Sequence, residues 1–264
     1  MLAWLTTPCR PEARRLGYLR EAIALRSRAR RCARLWAPHL QQSRAFLLDS
    51  AGVGGELGVV LGSGLLLDVP LAELAQRFRR LYLVDMLHLP EVRRLVRAYP
   101  GVSLLELDVT GVAPGLHDLL RARRPVACEE LDRLFAHAPI LPELESADWV
   151  ASVNLFSQLP LLPLEVAAGL CPLADETVLL AWQGVLLNRH LEWLRERRAC
   201  LLADARQTLW RPDGRLEVMD YSPWLARLGG PAAAWRWRLA DARERGDGSR
   251  VEHQIRAWDW CGKG

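Results

Sequence analysis

Between Leu57 and Asp108, short apolar runs alternate with segments whose apolar residues recur every three to four positions. LGVVLG, LYLVD and VSLLELD are continuously apolar and brief, whereas LAELAQRF and EVRRLVRAY carry their charges on one side. Runs of four to eight apolar residues predict buried strands, and the 3.6-residue period predicts amphipathic helices packed over them. Such alternation implies a parallel sheet covered by helices on both faces. ADWVASVN predicts a fourth strand, and ACLLAD a fifth. Between Thr177 and Glu196 a long helix is expected to place Leu180, Leu187, Leu191 and Leu194 on one buried stripe.

The two ends differ from this middle. From Pro11 to about Trp36, Leu16, Leu19 and Ile23 recur at helical spacing. Pro38 predicts a break there, before a second short helix from His39 to Ser50. The Gly-rich AGVGGELG then separates this opening from the alternating region. In the last third the period becomes two. RQTLWRPDGRLEVMDY sets a Pro-Asp-Gly turn between two such runs, and AAWRWRLA and VEHQIRAWDW flank a polar connection, so antiparallel strands are expected. Trp235, Trp237, Trp258 and Trp260 stand at i, i+2 spacing and are expected on one face of that terminal sheet. The organisation predicted is α/β, with a helical extension over residues 1–54 capping a main domain over 55–264 that carries a hairpin insertion near 205–220.

Composition narrows the class. Half of the 264 residues are hydrophobic and a quarter charged, the balance of a globular protein. A net charge of +4 creates no global field for nucleic acid or a membrane surface, and neither is expected as a partner. The six cysteines show no C-x-x-C pair or zinc-finger spacing, so reduced thiols and no metal are expected. The start MLAWLTTPCRPEARR places apolar residues ahead of its charges, the reverse of a secretory signal, and the expected location is the cytoplasm.

Candidate chemistry gathers at the strand ends. Gly62-Ser63-Gly64 follows the first strand, where glycines let a backbone approach a ligand and a following helix would offer free N–H groups. Asp85 closes LYLVD at the place where an open α/β sheet hydrogen-bonds a ribose, and Asp108 closes the third strand in LELD. Helix capping is the ordinary alternative for both carboxylates.

In that order and spacing, VVLGSG, LYLVD, LELD and ADWVASVN resemble the class I, Rossmann-like S-adenosylmethionine-dependent methyltransferases, from Leu57 to the C-terminus. The resemblance implies a Rossmann-like, mostly parallel sheet with antiparallel C-terminal strands and S-adenosylmethionine as cofactor. It places Gly62, Ser63 and Gly64 near the amino-acid end of that cofactor, Asp85 on its ribose and Asp108 near its adenine. Val60 replaces the acidic residue the family prefers before its loop, and Leu66 its third glycine. SVNLFSQLP lacks the Asn-Pro-Pro-Tyr type of signature for base methylation, so a small-molecule acceptor is expected.

Asn154, Ser157 and Gln158, just beyond the fourth strand, are the expected acceptor contacts, with self-satisfied loop polarity as the alternative. His190 shares an apolar helix face and is either a core residue or the general base. Arg26, Arg30 and Arg34 repeat at i, i+4, i+8. They are either a solvated face or, with Arg30 foremost, a cap for an anionic substrate. Two other functions fit the pattern less well: a non-catalytic methyltransferase-like module engaging a partner protein through the N-terminal helices, and an NAD-dependent oxidoreductase. Leu67 denies the latter the further glycine of a pyrophosphate loop. A purely ligating Asp85 predicts that Asp85→Ala leaves the unliganded stability nearly unchanged.

Overall fold

A computed structural model describes residues 7–136 and 141–261. Its strands are β1 (Gly55–Leu61), β2 (Phe78–Asp85), β3 (Val102–Glu106), β4 (Trp149–Val153), β5 (Ala199–Trp210), β6 (Leu216–Asp220), β7 (Ala233–Ala240) and β8 (Arg250–Asp259). They form one sheet in the order β3-β2-β1-β4-β5-β8-β7, with β6 paired to the outer half of β5. Pairing is parallel from β3 to β5 and antiparallel for β8, β7 and β6. This is the α/β architecture the alternating pattern predicts. The order reverses between β1 and β4, and at such a switch the two neighbouring connections leave on opposite faces and open a crevice beyond the strands' carboxyl ends.

The apolar runs are buried because both faces are covered. On one face Val60, Leu83, Ala151, Leu202 and Ala257 pack with Leu47 and Ala51 of the helix Ala33–Ala51 and Leu74 of the helix Leu71–Arg77. On the other, Val59, Leu61, Val150, Leu201 and Ala203 meet Leu187, Leu191 and Leu194 of the helix Glu176–Arg195. Each fully buried leucine contributes about 1.5–3 kcal/mol. The stripe of that long helix is shorter than its spacing predicts, since Leu180 is 48% exposed.

Four further expectations are corrected. The helix Ala33–Ala51 runs straight through Pro38, and the chain breaks upstream at Gly17 and Cys32. Burying Trp36, His39, Ser43 and Leu47 on one face of that helix outweighs the single backbone bond that proline removes. No helix starts at the glycine loop: residues 65–69 are turn and bend, and the next helix begins at Leu71. The tryptophans divide between faces, Trp235 and Trp237 packing toward the N-terminal helices and Trp258 and Trp260 toward the opposite core. Finally, Cys128 and Cys171 form a disulfide across two helices, whereas Cys9, Cys32, Cys200 and Cys261 are free. Sequence spacing carries no sign of that pairing. Among the described residues no helix is long and apolar enough to cross a membrane.

Candidate functional site

The carboxyl ends of β1, β2, β3 and β4 open into one cavity of about 1000 Å³. Gly62, Gly64, Asp85, Asp108, Asn154 and Gln158 line it, so the structure brings together six of the residues singled out by sequence. The helix Tyr18–Arg31 crosses its mouth, and Asp204 of β5, Trp237 of β7 and His253 of β8 close its far side.

The loop after β1 is held by its own backbone. Gly62 and Ser63 both donate to the Val84 carbonyl, at 3.0 and 3.1 Å, and Gly64 N donates to Asp85 Oδ2 at 2.8 Å. Met86 N donates to the other oxygen, Oδ1, at 2.7 Å. Asp85 therefore clamps the loop to the end of β2. This corrects the expectation that its role is ligation alone. Each oxygen keeps lone-pair capacity after one bond. Burial pushes this carboxyl up to about 6 against the pull of those N–H groups, so it is ionised at neutral pH.

The two glycines differ. Gly62, at φ +75°, sits where an added Cβ would lie 2.8 Å from the Val153 carbonyl oxygen and 2.9 Å from Leu155 Cβ. Gly64, at φ +48°, has nothing nearer than the Gly62 oxygen at 3.9 Å and faces open space. Gly62 is thus demanded by packing, and Gly64 stands open to the cavity. Ser63 is fully buried, with Oγ 3.2 Å from His88 Nε2, and does not line the cavity.

Asp108 is both cap and wall. It accepts from Thr110 N and Oγ1 at 2.8 and 2.6 Å and from Ala113 N at 2.7 Å, opening the helix Ala113–Ala122. Beside the two carboxylates the cavity wall is apolar, with Met86, Leu87, Leu107 and Val109. Tyr18 reaches over from the N-terminal helix. Burial, with Asp108 and Asp85 nearby, raises its hydroxyl well above the usual value and keeps it a donor. Two acceptor carboxylates, an apolar slot and an open glycine fit an adenosine with a short cationic tail.

A second polar cluster lies at the far side. Asn154 ends β4 in a left-handed conformation, φ +48°, which asparagine tolerates better than most residues. Gln158 holds its carbonyl at 2.7 Å, and its Nδ2 donates to Asp68 Oδ2 at 2.7 Å. His39 accepts from Trp235 Nε1 at Nδ1, 3.0 Å, and stacks on Trp237 at 4.1 Å. An indole nitrogen only donates, so Nδ1 is the accepting atom, and Nε2 faces Asn154 Nδ2 at 3.3 Å. Burial lowers His39 to about 4, which keeps it neutral. Ser157 lies behind the wall, donating to Asp204 Oδ2 at 2.9 Å.

Neither remaining candidate lines the cavity. His190 is buried with Nε2 2.8 Å from Ser152 Oγ, and burial lowers it to about 4. Arg30 is exposed and Arg26 pairs with Glu91 at 3.3 Å, whereas Arg28 and Arg31 reach the cavity mouth. Sequence reading missed Tyr18, His39, Asp68, Asp204 and His253, which come from segments distant in the chain and carry no local motif; for Trp237 it set an aromatic substrate wall second to packing.

The buried imidazoles predict an acid-labile fold. His39, His88 and His190 are each lowered by burial to about 4. A histidine depressed in the fold binds its proton more readily when unfolded, so stability is full above about pH 6.5 and falls as pH drops toward 4. Each contributes up to about 3 kcal/mol. Asp85 opposes this, because its raised carboxyl favours the fold on acidification between about pH 6 and 4. Burial raises the Asp68 carboxyl as well, in the same sense as Asp85, so with three imidazoles against two carboxylates the melting temperature is expected to fall steadily from pH 7 to 4.5 in a thermal scan. A flat profile would show that the imidazoles are not buried neutral.

No family model matches the chain, and no curated protein matches it. Among solved structures, it is similar to the Burkholderia thailandensis 1,6-didemethyltoxoflavin-N1-methyltransferase, bound to 1,6-didemethyltoxoflavin and S-adenosylhomocysteine. That match has 13% identity and a TM-score of 0.43, covering 96% of this chain and 92% of that one. The DhpI complex with S-adenosylhomocysteine matches at 12% identity and 0.34, covering 90% and 95%. Precorrin 8w decarboxylase of Methanobacterium thermoautotrophicum matches at 14% and 0.32, covering 81% and 89%. Such distant likenesses carry no argument about activity.

Proposed function

We propose that the protein binds S-adenosylmethionine and transfers its methyl group to a small-molecule acceptor. The observation that carries this reading is the convergence of Gly64, Asp85 and Asp108, from three consecutive parallel strands, on one cavity. Asp85 and Asp108 would hold the ribose and adenine, with Met86 and Val109 as apolar neighbours of the ring, and the open face of Gly64 would admit the amino-acid tail. The bound cofactor supplies a sulfonium whose methyl carbon is already a strong electrophile. The protein's task is then to align an acceptor and keep water out. His190 would serve the core, since its ring contacts Ser152 rather than the cavity.

A nicotinamide dinucleotide fits poorly, because a pyrophosphate is best held at a helix N-terminus and none follows this glycine loop. Incubation with methyl-labelled S-adenosylmethionine and a metabolite extract is expected to label acid-soluble small molecules. Label mainly in nucleic acid would overturn the small-molecule acceptor. Tight cofactor binding with no transfer to any fraction would favour the non-catalytic module, which the internally spent N–H groups of the loop also suit.

A further inference from the structure

Asp204 is 2% exposed, and its two oxygens are treated very differently. Oδ2 accepts from Ser157 Oγ at 2.9 Å and Gln207 Nε2 at 3.2 Å, and His253 Nδ1 lies 3.1 Å away. Oδ1 has no partner at all. Asn154, 6% exposed, repeats the arrangement: its Nδ2 is bound to Asp68 at 2.7 Å and lies 3.3 Å from His39 Nε2, and its Oδ1 has no partner. Both residues line the same cavity as the nucleoside-type carboxylates. Among the described residues this wall also holds two ring nitrogens without a hydrogen-bond partner, Trp237 Nε1 and His253 Nδ1. A buried acceptor without a donor costs about 1–3 kcal/mol, more when charged, so the two oxygens of Asp204 and Asn154 mark a place that a ligand's donors complete.

Charge points the same way. Eight carboxylates and three guanidiniums line the cavity. Arg31 is tied to Glu244 at 2.7 Å and Arg245 to Asp247 at 3.4 Å, leaving Arg28 against Glu21, Asp68, Asp85, Asp108, Glu165 and Asp204. His39 adds no positive charge. Among the described residues no group of three or more metal-ligating side chains is placed to hold a cation of that kind.

We infer that this wall is the acceptor subsite and that it takes a nitrogen base, offering N–H donors to Asp204 Oδ1 and Asn154 Oδ1, rather than a carboxylate or a phosphate. The assignment rests on the methyl-transfer reading for the word acceptor, but the binding chemistry stands apart from it. It stands against the second reading of the N-terminal arginines, a cap that receives an anionic substrate. His39 and Trp237, stacked on each other at 4.1 Å, stand at the same end of the cavity.

Benzamidine and benzoate share a shape and differ in this chemistry, one presenting N–H donors and positive charge, the other acceptors and negative charge. Calorimetric titration of each into the full-length protein, with and without saturating S-adenosylhomocysteine, is the test. Benzamidine is expected to bind and benzoate not, and Asp204→Asn is expected to weaken benzamidine at least tenfold. Equal or tighter benzoate binding, no binding of benzamidine, or unchanged benzamidine affinity in a folded Asp204→Asn protein would overturn the inference. The wild-type comparison decides by itself if that variant fails to fold. Benzamidine binding without any S-adenosylhomocysteine binding would sink the cofactor reading and leave the nitrogen-base site standing.

Discussion

Asp85→Ala is expected to lower the unliganded melting temperature by about 5–10 °C and to abolish stabilisation by S-adenosylhomocysteine. Two backbone donors, Gly64 N and Met86 N, lose their acceptor. An N–H left unmatched costs about 1–3 kcal/mol, and the cavity's water recovers part of that, so about 2–3 kcal/mol in total is reasonable. For a chain of this size each kcal/mol moves the transition by roughly 2–4 °C. In the wild-type protein, ligand at ~100 times its dissociation constant adds about 2.7 kcal/mol. Asp85→Asn separates the two roles. Its amide supplies one acceptor and sets a donor against the other N–H, so its unliganded melting temperature should fall between wild type and alanine, with ligand stabilisation still largely lost. Differential scanning calorimetry reads both effects. An unchanged melting temperature for Asp85→Ala would mean that the loop does not depend on this clamp.

The two loop glycines should fail in opposite ways. In Gly62→Ala the new methyl group meets the Val153 carbonyl and Leu155 at under 3 Å, in a left-handed backbone. Overpacking of about 1–3 kcal/mol adds to about 1–2 kcal/mol of conformational strain, so roughly 3–4 kcal/mol is expected. Gly64→Ala meets no such contact and should lose only about 1–2 kcal/mol. Its methyl group, however, projects into the cavity and is expected to weaken S-adenosylhomocysteine tenfold or more. Urea unfolding and ligand titration of both variants separate these outcomes. Comparable stability losses, or an unaltered affinity in Gly64→Ala, would place the ligand away from this loop.

Why some of this was legible in sequence and some was not has a physical basis. The strands β1, β2 and β4 lie in a two-sided core and β3 at its edge, so their apolar runs could read as little else, and the ends of those runs located Gly62, Asp85 and Asp108. The antiparallel strands of the tail followed from its period of two, and the β5-β6 hairpin from its Pro-Asp-Gly turn. Local pattern misjudged Pro38, because the buried face of Trp36, His39 and Leu47 is a tertiary gain that no window shows. It could not find the disulfide or the second polar cluster for the same reason. His39, Asp204 and His253 belong to a helix and two strands far apart in the chain, and only the β5-β8 pairing and the helix laid across β7 bring them together. Capping was offered as the plain role for Asp108; the N-cap position itself is Val112, and Asp108 accepts from the first helical N–H, that of Ala113, alongside its place in the cavity wall.

Amide hydrogen exchange, measured with and without S-adenosylhomocysteine, tests most directly whether the three strand ends form one nucleoside site. Slower exchange is predicted together in the segments 62–69, 85–88 and 107–112, with smaller protection where Tyr18 crosses the mouth. Protection confined to other segments, or no protection at ligand concentrations that saturate any observed binding, would contradict the account.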